Sequence, residues 1–274
     1  MTPEHSELGK KAQYDAQYNP DKLFPIPRKS KRDEIGITDA LPFYGYDVWN
    51  HYEVSWLNEK GKPVVALAVI SYDCTTPHII ESKSLKLYFN SFNNTKFKDA
   101  DAVTATAKKD LEEQLQGTVS VTITPLAQVS EDKLHDDFIG ENIDELDVAC
   151  TTYMVDPTLL STDNEQVTEI LQTNLLKSNC LVTNQPDWGS VQIAYKGKKI
   201  NREALLRYIV SFRNHNEFHE QCVERIFVDI MKYCQPEELT VYGRYTRRGG
   251  IDINPYRTSN KNPYSIENFR LCRQ

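Results

Sequence analysis

The chain lacks any apolar run long enough to cross a bilayer, and the residues that follow Met1, Thr-Pro-Glu-His-Ser-Glu, lack the apolar stretch of a secretory signal. Neither a membrane partner nor export is expected, and the reading is a cytoplasmic protein. The six cysteines, Cys74, Cys150, Cys180, Cys222, Cys234 and Cys272, include no C-x-x-C pair. That scatter argues against a disulfide framework or a zinc ribbon and suits free thiols in a reducing compartment. Basic residues are not in excess: 32 Lys and Arg stand against 39 Asp and Glu, for a net charge of -7. With no dense basic patch, direct binding of nucleic acid is not expected. The chain also contains no G-x-G-x-x-G, which argues against a Rossmann dinucleotide site. No metal site is expected either. His215 and His219 are four apart but have no third ligand at a suitable spacing.

What is present is an ordinary globular composition, 39% hydrophobic and 26% charged, over 274 residues, enough for one large domain or two modest ones. Residues 1–40 are rich in Tyr, Pro, Lys and Asp, including Phe24-Pro-Ile-Pro-Arg28, and predict an extended surface arm outside the core. His51–Leu57 and Pro63–Ser71 predict a hairpin around Asn58-Glu-Lys-Gly61. Ser84–Asn93 predicts a short helix, and Asp99–Gln116 a longer one capped by Gly117. Thr118–Thr124 alternates as a half-buried strand.

The second half repeats this order. A strand over Thr168–Thr183, broken near Cys180, is followed by another over Ser190–Tyr195 and a turn at Lys196-Gly197-Lys198. Two helices follow, one with Ala204, Leu205, Tyr208, Ile209 and Phe212 on a face, the other with Val223, Ile226, Phe227, Ile230 and Met231. Leu239–Tyr245 returns to strand. The pattern is α+β and duplicated, with helices covering one face of an antiparallel sheet. The expected organisation is an arm (1–40), a first module (41–127), an acidic connection (128–165) and a second module (166–274). Asp147–Met154 is a candidate edge strand within the connection. Open sheet edges favour self-association, and a homodimer is expected.

One stretch suggests chemistry: Lys177-Ser-Asn-Cys180-Leu-Val-Thr-Asn-Gln-Pro-Asp187-Trp188-Gly189. A thiol attacks as thiolate, and an acid within reach protonates the atom that becomes electron-rich. Taken alone, the pair reads sooner as a buried strand cysteine followed by a turn aspartate than as a catalytic pair. His219 and Glu220 at the start of a helix read alone as a solvated helix end, and Arg247-Arg248-Gly249-Gly250 as a solvated loop.

Four segments together change these readings. Glu81-Ser82-Lys83-Ser84-Leu85-Lys86-Leu87-Tyr88 resembles the signature motif of the NADPH-dependent 7-cyano-7-deazaguanine reductases, the QueF nitrile reductases of queuosine biosynthesis. Ser178-Asn-Cys180 to Asp187-Trp-Gly resembles that family's nucleophile and proton donor. Glu217-Phe218-His219-Glu220-Gln221-Cys222 and Tyr245-Thr246-Arg247-Arg248-Gly249-Gly250-Ile251-Asp252-Ile253-Asn254-Pro255 also match, in the order of the two-module form. The resemblance runs from Leu41 to Arg257.

The resemblance implies tandem tunnelling-fold (T-fold) modules and a small-molecule deazapurine nitrile as substrate. It assigns Cys180 as nucleophile and Asp187 as acid, the latter held protonated, with Pro186 and Trp188 as candidates for an apolar wall. It implies substrate contacts at Ile80, Glu81, Ser82, His219 and Glu220, the two glutamates reading the base edge. It implies NADPH as cofactor, held by Ser82, Lys83, Arg248 and Gly249, with Arg247 or Arg248 on the 2′-phosphate. Because Ser82-Lys83 and Arg248-Gly249 belong to different expected modules, that cofactor site is expected at an interface. Two alternatives remain: a cysteine-dependent nitrilase or amidase, and a non-catalytic purine-binding module.

Overall fold

A computed structural model describes residues 14–130, 134–262 and 268–274. The elements run β1 (Pro25–Pro27), α1 (Lys29–Glu34), β2 (Tyr44–Leu57), β3 (Pro63–Asp73), β4 (His78–Ile80), α2 (Ser82–Asn90), α3 (Ala100–Leu115) and β5 (Val119–Pro125). They continue as β6 (Leu134–His135), β7 (Glu141–Asn142), β8 (Thr162–Asn179), β9 (Pro186–Ile200), α4 (Arg202–Ser211), α5 (His219–Tyr233), β10 (Glu238–Tyr245), β11 (Ile251–Thr258) and β12 (Arg270–Leu271). No described helix is long and apolar enough to cross a membrane. The fold is α+β, and the order strand, strand, helix, helix, strand occurs twice, as β2-β3-α2-α3-β5 and β8-β9-α4-α5-β10, with β4 inserted in the first copy.

Two compact units exchange short pieces of chain. The first holds the chain up to Lys31, Asp47–Asp132 and Arg247–Ile253; the second holds Arg32–Tyr46, Lys133–Thr246 and Asn254–Gln274. The boundaries therefore differ from a simple division into consecutive modules.

In the first unit, the β2–β3 hairpin turns where expected. Asn58 Oδ1 accepts the N–H groups of Lys60 and Lys62, both at 3.0 Å, and Gly61 supplies a φ of +79. β3 pairs antiparallel with β5 from Ala66↔Pro125 to Tyr72↔Val119. Its alternate residues Ala68, Ile70 and Tyr72 are buried in a core with Trp49, Trp56, Tyr88, Phe89 and Leu111. α3 begins with Asp99 Oδ1 accepting the Ala102 N–H at 2.9 Å. Its end corrects an expectation, because the left-handed cap is Gln116, at φ 54, and not Gly117. Gly117 is needed for closeness instead: a Cβ there would lie 2.7 Å from Thr76 Cγ2.

The predicted surface arm is corrected too. Residues 1–13 lie outside the described residues, but β1 pairs with β4 through Pro25↔Ile80, Ile26↔Ile79 and Pro27↔His78. Leu23 and Ile26 are buried, and the Arg28 guanidinium meets Asp47 at 2.6 Å with both side chains buried. Prolines at both ends of a three-residue strand hide its periodicity, yet their fixed φ suits an extended edge.

In the second unit, β8 and β9 form a long antiparallel hairpin. β9 then pairs with β10 from Tyr245↔Gly189 to Glu238↔Lys196, and β10 with β11. β9 does not turn at Lys196-Gly197-Lys198 but continues to Ile200. Gly197 is there because Pro236 packs against it; a Cβ would stand 2.9 Å from Pro236 Cα. Asp147–Met154 forms no strand, and Glu141–Asn142 instead pairs with Leu171–Gln172 of β8. Nearby acidic residues bind β8 side chains: Asp137 accepts from Gln172 and Asn174, and Asp144 from Thr173.

Candidate active site

The candidate nucleophile is placed by an irregularity in β8. Between the Thr173↔Val191 and Leu176↔Gly189 pairs, Asn174 and Leu175 stand opposite Ser190 alone, a β-bulge. Paired residues share a face of the sheet, so the inward positions on β8 are Leu171 and Thr173 before the bulge and Leu176 and Ser178 after it. The ladder extends one step further, the Cys180 N–H donating to Gln185 O at 2.8 Å. Cys180 thus falls on the face that carries Asp187, Gly189 and Val191 of β9. Were the same positions from Thr173 to Cys180 paired regularly, with no bulge, it would fall on the opposite face. A turn follows, closed by the Asn184 N–H to Cys180 O at 3.1 Å with Asn184 left-handed at φ 56. The predicted strand over Thr168–Thr183 therefore stops at Asn179.

Cys180 and Asp187 are both buried, at 3% and 6% exposure. Asp187 Oδ2 lies 3.4 Å from His219 Nε2, and the His219 ring stacks flat on Tyr245, centroids 3.9 Å apart and planes 3° apart. His219 Nδ1 is buried without a hydrogen-bond partner among the described residues. The wall expected from Pro186 and Trp188 is corrected. Both flank Asp187 on a strand, so their side chains leave from the other face; Trp188 is 39% exposed and carries Arg213 over its ring at 5.6 Å. The rings beside Asp187 are those of His219 and, behind it, Tyr245.

His219 and Glu220 open α5 and both are buried, against the solvated-end reading. His215 turns away from His219 and bonds Glu217 at 2.9 Å. Glu217 also receives the Arg225 fork, at 3.0 and 2.8 Å. Burial raises the Glu217 carboxyl, but the bonds from His215 and Arg225 outweigh it and hold the group below the usual carboxylate range. The loop before α5 is joined to the hairpin end by Asn179 N–H to His215 O at 2.8 Å and Glu217 N–H to Asn179 O at 3.1 Å. Burial pushes the Cys222 thiol well up, and Cys234 up to about 11, which leaves both as poor nucleophiles. Sequence reasoning gave no role to Tyr245 or Arg225. Tyr245 opens one of the matching segments, a usable signal, whereas Arg225 on an amphipathic helix gives none.

The remaining predicted residues lie in the first unit. Ile80 is buried in β4. Glu81 is the N-cap of α2, its carboxylate accepting the N–H groups of Lys83 at 2.6 Å and Ser84 at 2.8 Å. Burial raises this carboxyl despite those two bonds. Arg248 and Gly249 also lie in this unit, which corrects the expectation that they and Ser82-Lys83 come from different modules. The Arg248 N–H donates to Ile251 O at 2.9 Å across a turn whose glycines have φ +63 and +77. A Cβ on Gly249 would stand 3.3 Å from Lys86 Nζ, and Arg247 lies 3.9 Å over the Tyr52 ring. Lys86, beside Gly249 and paired with Glu53 at 3.0 Å, and Arg247 supply cationic donors of the kind that the phosphates of a dinucleotide require.

The site sets a buried thiol, by way of a bulge, on the sheet face of a buried carboxyl, on a duplicated α+β scaffold of the kind that carries small-molecule enzymes. Two family models match the sequence. "Nitrile reductase, 7-cyano-7-deazaguanine-reductase N-term" covers residues 14–123, and "QueF-like protein" covers residues 186–264. The chain belongs to the 7-cyano-7-deazaguanine reductase family, with its two modules in the tandem T-fold arrangement. It is 61% identical over 270 residues to the NADPH-dependent 7-cyano-7-deazaguanine reductase of Legionella pneumophila (strain Lens), covering 98% of this chain and 95% of that one. The reductases of Acidovorax ebreus (strain TPSY) and Ralstonia nicotianae (strain ATCC BAA-1114 / GMI1000) are 56% and 53% identical, with 99% or more of each chain covered.

Proposed function

We propose that this chain reduces the nitrile of 7-cyano-7-deazaguanine to the amine of 7-aminomethyl-7-deazaguanine with NADPH, in queuosine biosynthesis, through a thioimide on Cys180. The observation that carries the reading is the register of β8 and β9, which puts Cys180 on the Asp187 face, with His219 3.4 Å from the carboxyl.

A nitrile carbon is a weak hydride acceptor until a sulfur adds to it. The Cys180 thiolate forms the S–C bond, one π bond of the nitrile opens, and nitrogen takes a proton from the Asp187 carboxyl. His219 Nε2 faces that carboxyl and returns a proton to it between steps. Burial of Cys180, Asp187 and His219 keeps bulk water from hydrolysing the thioimide. Glu220 accepts the ring N–H and amino group of the base, and Ile80, Glu81 and Ser82 are further substrate contacts. NADPH, when bound, would supply hydride to the carbon; the S–C bond then breaks as Cys180 leaves as thiolate, and a second hydride would reduce the resulting imine to the amine, four electrons in all. Ser82, Lys83, Arg248 and Gly249 would contact it, with Arg247 or Arg248 on the 2′-phosphate.

The chain works as a homodimer in the cytoplasm. Free thiols and a reduced nicotinamide suit that compartment. The part of β8 before Leu171 pairs only with β9 among the described residues, an edge that a second copy can cover. Following the NADPH absorbance band with and without the nitrile tests the reading. Loss only with nitrile, at two NADPH per amine, is expected; a carboxylate or amide product contradicts it.

A further inference from the structure

The bulge that sets the Cys180 register and the strand that carries Tyr245 are each braced by a residue to which sequence reasoning assigned no role, Arg273 and Gln274. An extra residue takes the Asn174 carbonyl off the regular ladder. Arg273 takes it up: its guanidinium donates to Asn174 O at 2.8 Å and to Gly189 O at 2.5 Å, tying β8 to β9 at the bulge. Gly189 is two residues from Asp187, on the same face.

Gln274 makes a parallel tie to β10. Its Nε2 donates to Tyr245 O at 3.0 Å and Asn254 Oδ1 at 2.8 Å; its Oε1 accepts from Arg244 Nε at 2.6 Å and Leu271 N–H at 3.0 Å. Every donor and acceptor of this buried amide is used. Tyr245 is the residue on which the His219 ring lies flat. The pair is itself anchored, since Leu271 is buried against Phe138, Tyr242 and Tyr256, and β12 pairs with β6.

We infer that Arg273 and Gln274 are positioning residues, which hold the Asp187 carboxyl and the His219 imidazole in register by fixing the β8 bulge and the Tyr245 backbone. Neither touches Cys180, Asp187 or His219. The catalytic consequence rests on the function proposed above, but the positioning itself does not.

The test uses Arg273→Lys, Arg273→Ala and Gln274→Glu in the full chain. Lysine keeps the cation but loses the planar guanidinium whose Nη2 donates to both carbonyls, and glutamate keeps the acceptor for Arg244 while losing the donor to Tyr245 O. The NMR shifts of the His219 ring protons, set by the Tyr245 ring stacked on it, read the positioning directly. All three variants are expected to move them from the wild-type values, with Arg273→Lys doing so at unchanged melting temperature. The rate at which 7-cyano-7-deazaguanine adds to Cys180 is expected to fall about tenfold in each. Substrate affinity, measured in a Cys180→Ala background, is expected to stay within about twofold. His219 ring-proton shifts that overlay wild type in all three variants overturn the inference. So does a rate loss that appears only in variants with a lowered melting temperature. Absence of adduct in wild type defeats the proposed function, and the His219 ring-proton shifts alone then decide the positioning.

Discussion

His219 Nε2 and Asp187 Oδ2 stand 3.4 Å apart, both residues buried, on α5 and β9 respectively. A carboxyl facing an imidazole can pass a proton to a substrate and recover it without opening to water. Asp187→Asn keeps the shape and removes the proton. Adduct formation on Cys180, followed by mass spectrometry without NADPH, is expected to slow by about 100-fold or more. Normal adduct levels in the variant would move the acid role to His219.

Base recognition is tested by Glu220→Gln. Loss of a charged acceptor is expected to weaken nitrile binding by about 2 kcal/mol, read by calorimetry in a Cys180→Ala background. Glu81→Gln is expected to weaken binding and also to lower the melting temperature, because Glu81 caps α2. Unchanged affinity in both variants means that other groups read the base.

For the cofactor, replacing whichever of Arg247 and Arg248 clamps the 2′-phosphate with alanine is expected to weaken NADPH binding while barely changing that of NADH. Adduct formation is expected to survive, because it precedes hydride transfer. Equal losses for both cofactors rule out the 2′-phosphate role.

His51 offers a stability test in the first unit. Burial outweighs the pull of Glu53 and lowers its imidazole to about 4 from 6.5. The unfolded chain then binds more protons than the folded one between those values. Stability is therefore lost as pH falls from 6.5 towards 4, by up to about 3 kcal/mol. Chemical denaturation across this range is expected to show the slope in wild type and its loss in His51→Gln. Parallel slopes in both contradict the assignment.

Much of this was legible in the sequence where a single periodicity runs for several residues. The β2–β3 hairpin, α3, α5 and β10 follow from alternation or a 3.6-residue stripe. Cys180, Asp187, His219 and Glu220 were legible only through the resemblance, since each reads alone as a structural residue. What escaped depends on contacts distant in the chain. The bulge at Asn174 and Leu175 leaves no mark on composition, yet it decides which face Cys180 occupies. Pro25–Pro27 hides a strand that only its pairing with His78–Ile80 reveals. The glycine of Gly197 reads as a turn but answers to Pro236, remote in sequence. The exchange of Arg32–Tyr46 and Arg247–Ile253 between units is likewise invisible to any local pattern.

The central claim is that Cys180 forms a covalent thioimide with the nitrile. The most direct measurement is mass spectrometry of the intact, full-length chain incubated with 7-cyano-7-deazaguanine and no NADPH, followed by peptide mapping. One substrate mass is expected on the peptide carrying Cys180, absent in Cys180→Ala and discharged as the amine when NADPH is added. An adduct that maps to Cys222 or Cys234, or one that persists in Cys180→Ala, contradicts the account.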